Sequence, residues 1–253
     1  MEAPVFKTLL VEVREEVALV TLNRPWVLNA ISTQCNREII SAIEWAEDND
    51  EVKAVIFNGA GRAFCAGADV KEIREFKKES IRRYIELDFR TKNAVAECRK
   101  PTIAAIHSHC AGGGFELALA CDIRFASEDA LMSLPEVRLG AMPGSGGLQR
   151  LAPIVGLGVA KEMAFTGKPV TAERAERIGL VNRVTTAEVL EAEAFEFAKE
   201  LTQINPIAIR CAKVALEPDP LPTRGQVGVF HQLFSTVIRD DPWYSNQTKK
   251  FGA

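Results

Sequence analysis

The chain has no long apolar run, no block of like charge and no clustered cysteines, and each absence removes a class of function. No uninterrupted apolar stretch approaches the roughly 18 residues that a membrane helix needs. The opening residues, Met1-Glu2-Ala3-Pro4, lack the basic start and apolar core of a secretion signal. Lysines and arginines form no tract, and a formal net charge of -3 leaves no footprint for nucleic acid. The cysteines (Cys35, Cys65, Cys98, Cys110, Cys121 and Cys211) include no CxxC pair, so they read as reduced, mostly buried thiols. A cytoplasmic protein is expected, without membrane or nucleic-acid partners.

The usual cofactor motifs are missing too. His107-Ser108-His109-Cys110 carries metal-ligating types, but only His231 remains elsewhere to complete a site, so no metal is expected. Gly59-Ala60-Gly61 places Phe64 where the third glycine of a dinucleotide fingerprint belongs. Gly167-Lys168 runs into Pro169, which rules out a P-loop, and Gly144-Ser145-Gly146 lacks the spacing of a nucleophile elbow.

What remains is an ordinary globular composition, 47% hydrophobic and 26% charged over 253 residues. Residues 9–13 and 17–22 alternate around Arg14-Glu15-Glu16, the pattern of a β-hairpin. Helical spacing over 33–47 is followed by a buried strand at 54–57, then helices at 69–76 and 81–98. A second round gives a strand at 102–106, a helix at 113–121, a strand at 123–126 and a helix at 146–155. From Val159 on the signal is almost wholly helical, with helices over 172–178, 188–204 and 206–216. A proline-rich break at 217–222 and a last helix over 223–238 complete the pattern. The chain therefore reads as α/β, with a helical C-terminal segment.

Two strand–loop–helix units have chemistry in them. Phe64-Cys65-Ala66-Gly67-Ala68-Asp69 feeds one helix, and Gly112-Gly113-Gly114 opens another. Small residues let a ligand approach the backbone, and the first N–H groups of a helix have no intrahelical partner. If the loops converge, one N–H from each makes a two-donor oxyanion hole; separately, each is a tight turn with glycine chosen for packing. Glu116 lies in the first turn after the glycines, among Phe115, Leu117 and Ala118. It is either a dipole partner for its helix or a buried proton-handling group. Glu136 follows Pro135 between apolar residues, where desolvation would raise its pKa; the plainer reading is an ion pair with Arg138 or Arg150.

These residues resemble the crotonase (enoyl-CoA hydratase/isomerase) superfamily over nearly the whole chain. The likeness runs through Leu22-Asn23-Arg24-Pro25, Leu28-Asn29-Ala30, Phe64-Cys65-Ala66-Gly67-Ala68-Asp69, Lys100-Pro101-Thr102-Ile103-Ala104-Ala105, the block at 112–122, Pro135-Glu136, 143–150, Thr166-Gly167 and 175–181. The resemblance implies a spiral of repeated ββα units over 1–200 and a C-terminal helical trimerisation region over 201–253. It implies a homotrimer or a homohexamer (a dimer of trimers), an acyl-CoA thioester substrate, and neither a metal nor a redox cofactor. It puts the oxyanion hole at Ala68 and Gly113. CoA would lie along Trp26, Val27 and Leu28 and along Ala66, Gly67, Ala68, Asp69, Val70 and Lys71, with Gly112 and Gly113 beside the thioester.

Both family glutamates are present, as Glu116 and Glu136. The pair implies an enoyl-CoA hydratase, with Glu136 as the main general acid and base and Glu116 holding the water. The alternatives are a Δ3–Δ2-enoyl-CoA isomerase or another thioester-enolate enzyme, and, more remotely, a non-catalytic RNA-binding or scaffold protein. The chain departs from the family at His107-Ser108-His109, where relatives carry Asn-Gly-Tyr or similar. It departs again at Trp26, where many have lysine, and in the tail at 240–247, which lacks the residues that close over CoA.

Overall fold

The computed structural model describes residues 2–216. The break at 217–222, the helix over 223–238, the tail at 240–247 and most of the oligomerisation region lie outside the described residues. The hairpin forms as the alternation predicts: β1 (Leu9–Arg14) pairs antiparallel with β2 (Val17–Leu22), Leu9 opposite Leu22. Glu15 and Glu16 both take positive φ, as a tight two-residue turn requires. Ser32 caps α1 (Thr33–Asp48), its hydroxyl accepting from Cys35 N.

The rest is a spiral in which each turn lays one strand in each of two sheets. β3 (Ala54–Gly59), β5 (Thr102–Ile106) and β7 (Ile123–Ser127) run parallel in a six-stranded sheet ordered β1-β2-β3-β5-β7-β10. β4 (Ala63–Cys65), β6 (His109–Ala111) and β8 (Leu131–Ser133) run parallel in a second, four-stranded sheet that ends in β9 (Val170–Thr171). Each pair leads into a helix: β3–β4 into α2 (Val70–Arg74) and α3 (Lys78–Ala96), β5–β6 into α4 (Gly113–Ala120), and β7–β8 through a 3-10 turn (Pro135–Leu139) into α5 (Gly147–Val155). This is the ββα spiral that the resemblance implies.

After α5 the chain adds α6 (Leu157–Thr166), α7 (Ala172–Arg177), α8 (Leu190–Thr202) and α9 (Pro206–Leu216). The almost wholly helical reading beyond Val159 left out two short strands. β9 pairs with β8, and β10 (Arg183–Thr185) closes the large sheet beside β7. Two or three residues are too short to set up an alternation, so sheet pairing rather than local pattern defines these strands. The large sheet is buried on both faces, which accounts for the continuous apolar runs in β3 and β5. One face packs Val17, Ile56, Ile103 and Phe125 under Leu190, Ala194 and Ala198 of α8. The other joins Val55, Phe57, Ala104 and Ile106 to α1, α4 and α5 in the main core.

Candidate functional site

The site lies where the second sheet hands the chain to its helices. Ile31 N donates to Gly67 O at 2.8 Å and Asp69 N to Ile31 O at 2.9 Å, pinning the 67–69 segment as a single parallel bridge. Alternation along an extended segment then turns the Ala68 N–H away from Ile31, toward α4. Asp69 caps α2 and accepts from Arg24 Nη2 at 2.9 Å. Burial alone would raise its carboxyl, but Arg24 and the helix N–H groups outweigh that and hold it low.

Gly112, at φ 52°, turns the chain so that Gly113 becomes the first residue of α4, with an N–H outside the helical ladder. The two loops meet. A β carbon on Gly113 would lie 3.6 Å from Ala68 N, and one on Gly67 would lie 3.5 Å from Gly113 N. The two loops, read separately as tight turns, lie against each other, each bringing a backbone N–H close to the other.

Glu136 reaches this junction, and Glu116 stands one turn along α4 from Gly113. Glu116 is 3% exposed, and its Oε1 accepts from Ser145 N and Gly147 N, each at 2.9 Å. Burial pushes its carboxyl up; Lys92 and the two N–H groups push it down, and the net direction is upward. Glu136 sits in the 3-10 turn behind Pro135, its Oε1 3.0 Å from where a β carbon on Gly112 would be. Burial, with Glu116 and Asp88 nearby, pushes it up to about 7. Its Oε2 is buried without a hydrogen-bond partner among the described residues, an orphan that folded proteins rarely leave without a use. The ion-pair alternatives do not describe it: Arg138 donates to Thr166 O, and Arg150 to Ser145 O and Asn93 Oδ1.

Three further residues, given no role at the site by the sequence reading, complete the surroundings. Asp88 and Lys92 form a buried ion pair on α3, and Ser145 Oγ donates to Asp88 Oδ2. Lys92 Nζ is 3.7 Å from the position of a Gly113 β carbon. The burial of Asp88 and Lys92 follows the helical register of α3, in step with Tyr84 and Val95.

The residues expected along CoA form one edge. Trp26 projects from a 3-10 turn (Pro25–Val27) and is 72% exposed. Ala66 N donates to Leu28 O at 2.9 Å, which lays the 26–28 and 66–71 segments side by side. Ala66, Val70 and Lys71 are exposed, while Gly67 and Asp69 are buried beneath them.

Comparison with known proteins identifies the family. Residues 12–237 match the family model described as enoyl-CoA hydratase/isomerase. Over 203 residues, 80% of this chain and 78% of the relative, the sequence is 44% identical to YngF of Bacillus subtilis. It is 40% identical to the short-chain-enoyl-CoA hydratase of Clostridium acetobutylicum over 82% of this chain and 80% of that one. The crystal structure of an enoyl-CoA hydratase from Bacillus anthracis superposes with a TM-score of 0.91 at 33% identity, covering 97% of each chain. On its fold, its motifs and these relatives, the chain belongs to the enoyl-CoA hydratase/isomerase family and is an enzyme of the hydratase type.

Proposed function

We propose that the protein adds water across the double bond of a trans-2-enoyl-CoA to give the 3-hydroxyacyl-CoA. The observation that carries the reading is that the two carboxylates flank the meeting point of the two loops, Glu136 Oε1 beside Gly112 and Glu116 one turn beyond Gly113 on α4. The thioester oxygen accepts from Ala68 N–H and Gly113 N–H, which stabilise the enolate that forms when C3 is attacked. Each such donor contributes roughly 2.7–4 kcal/mol to the transition state. A water between the glutamates gives one proton to Glu136 as its oxygen bonds to C3. Glu116, fixed by Ser145 and Gly147, accepts a hydrogen bond from the other water proton. Glu136 then delivers its proton to C2, so water is added and both carboxylates are regenerated.

A carboxyl held near 7 suits this exchange, since one group must act first as base and then as acid near neutral pH. The site also supports an acyl-CoA thioester as substrate, with the CoA along the edge formed by residues 26–28 and 66–71.

The test is loss of enoyl-thioester absorbance with crotonyl-CoA. The parent is expected to turn over, and Glu116→Gln and Glu136→Gln each to lower kcat by about 10²–10⁴-fold. A parent inert on crotonyl-CoA that converts a 3-enoyl-CoA to its 2-enoyl isomer would make the protein an isomerase instead.

A further inference from the structure

Glu116 is held by a chain of contacts that starts outside the pair of glutamates. Its Oε1 takes the N–H of Ser145 and of Gly147. Ser145, 2% exposed, is held in turn from both ends: its hydroxyl donates to Asp88 Oδ2 and its carbonyl accepts from Arg150 Nη1 at 3.0 Å. Asp88 is paired with Lys92, whose side chain has no exposure at all. Fully burying a lysine is costly unless its charge is matched by a partner.

We propose that Asp88 and Lys92 are positioning residues for Glu116: Asp88 fixes Ser145 through its hydroxyl, so that the Ser145 and Gly147 N–H groups meet the carboxylate, and Lys92 balances the buried negative charge. The inference deepens the hydratase reading and rests on it.

The charges facing Glu116 can be named element by element. α3 supplies Asp88 and Lys92, the 3-10 turn supplies Glu136, and α5 supplies Arg150 through the Ser145 carbonyl. The strands packed on α4 bring Cys65, whose burial pushes its thiol up to about 12, and Cys110, whose thiol burial also pushes well up. His109 on β6 faces outward. Lys92 is thus a cation set between Asp88 and Glu116, and its field favours the ionised form of Glu116.

The test combines activity with a direct titration. Carboxyl carbons of ¹³C-labelled glutamate are followed by NMR against pH in the parent, Lys92→Met, and the charge-neutral double variant Asp88→Asn/Lys92→Met. The Glu116 titration is expected to move upward by at least about one pH unit in Lys92→Met, since a favourable charge is removed. With it kcat should fall, while KM stays within about two-fold. In the double variant the amide oxygen introduced by Asp88→Asn still accepts from the Ser145 hydroxyl, so the fold is kept without a lone buried charge.

In the second arm, Ser145→Ala should lower kcat about ten-fold. In the Lys92→Met background, which leaves no unmatched lysine buried, Asp88→Ala placed on top of it should add little, because both act through one contact. An unmoved Glu116 titration, or kcat losses that simply add, would overturn the proposal. If the parent fails to hydrate crotonyl-CoA, the hydratase reading fails alone, because the titration still reads the network.

Discussion

At the scale of single residues, the site depends on side chains that are not there. Gly147 gives its N–H to Glu116, and a β carbon at this position would lie 2.7 Å from Glu116 Cγ and 2.9 Å from its Oε1. Neither atom can retreat easily, because the carboxylate is already fixed by Ser145 N. Gly147→Ala is therefore expected to push the carboxylate off its water position and lower kcat by about ten- to a hundred-fold, since misplacement of about 1 Å costs on that scale. Steady-state kinetics on crotonyl-CoA check it. A fall in melting temperature with kcat intact would mean that the helix shifted instead of the carboxylate. The identity of Gly147 was plain in the sequence, within a run of glycines; its contact with Glu116 was not. Nothing local to 143–147 says that the loop folds back on a helix about 30 residues earlier in the chain.

Between elements, the same glycine logic sets how closely α4 approaches β4. A β carbon on Gly114 would meet Cys65 Cβ and Sγ at 2.6 Å and Cys65 O at 2.7 Å. Cys65 Sγ is itself committed to Asn29 O at 3.1 Å. Gly114→Ala must move helix and strand apart, and is expected to destabilise the fold by about 1–3 kcal/mol, as overpacking does. Urea unfolding at unchanged m-value would measure it. Opposite behaviour is expected one strand away. Ser108 takes φ 48°, a left-handed conformation that favours glycine. Ser108→Gly is expected to stabilise by about 1 kcal/mol, read as a rise in melting temperature.

The long elements were legible because periodicity is a local property. β2, β5, α4 and α9 begin where the pattern begins, and Asn23-Arg24-Pro25 ends β2 as proline should. The second sheet was not legible, since β4, β6 and β8 span three residues each and gain their identity only from one another. The glutamates and the glycine loops could be read as chemistry from residue type and position. Asp88 and Lys92 could not, because their meaning lies in a contact with Ser145, 57 residues beyond Asp88.

Across the whole molecule, the proton-handling carboxyl should leave a mark on stability. Glu136 titrates at about 7 in the folded protein against an ordinary value of 4.5, burial being the main cause. Below about pH 4.5 it is neutral in both states and has no effect on stability. Between about 4.5 and 7 the unfolded chain ionises first, so the native state loses stability as pH rises; above about 7 the loss is complete. Glu38 and Asp69 work in the opposite sense. Glu38 accepts from Lys7 N, Thr8 N and Gln34 Nε2, and Asp69 from Arg24, and both carboxyls are held low. They add stability above the ordinary carboxyl range, and it is lost as pH falls through their folded values. Comparing the parent with Glu136→Gln cancels these common contributions. The variant is expected to match the parent near pH 4.5 and to melt progressively higher as pH rises to about 8. The gain should be on the order of 1–2 kcal/mol after solvent screening, or roughly 2–8 °C for a chain of this size. Calorimetry at about pH 4.5, 6 and 8 checks it. A gain independent of pH would mean that the carboxyl is not desolvated in the folded protein, and the proton-carrier role assigned to Glu136 would lose its physical basis.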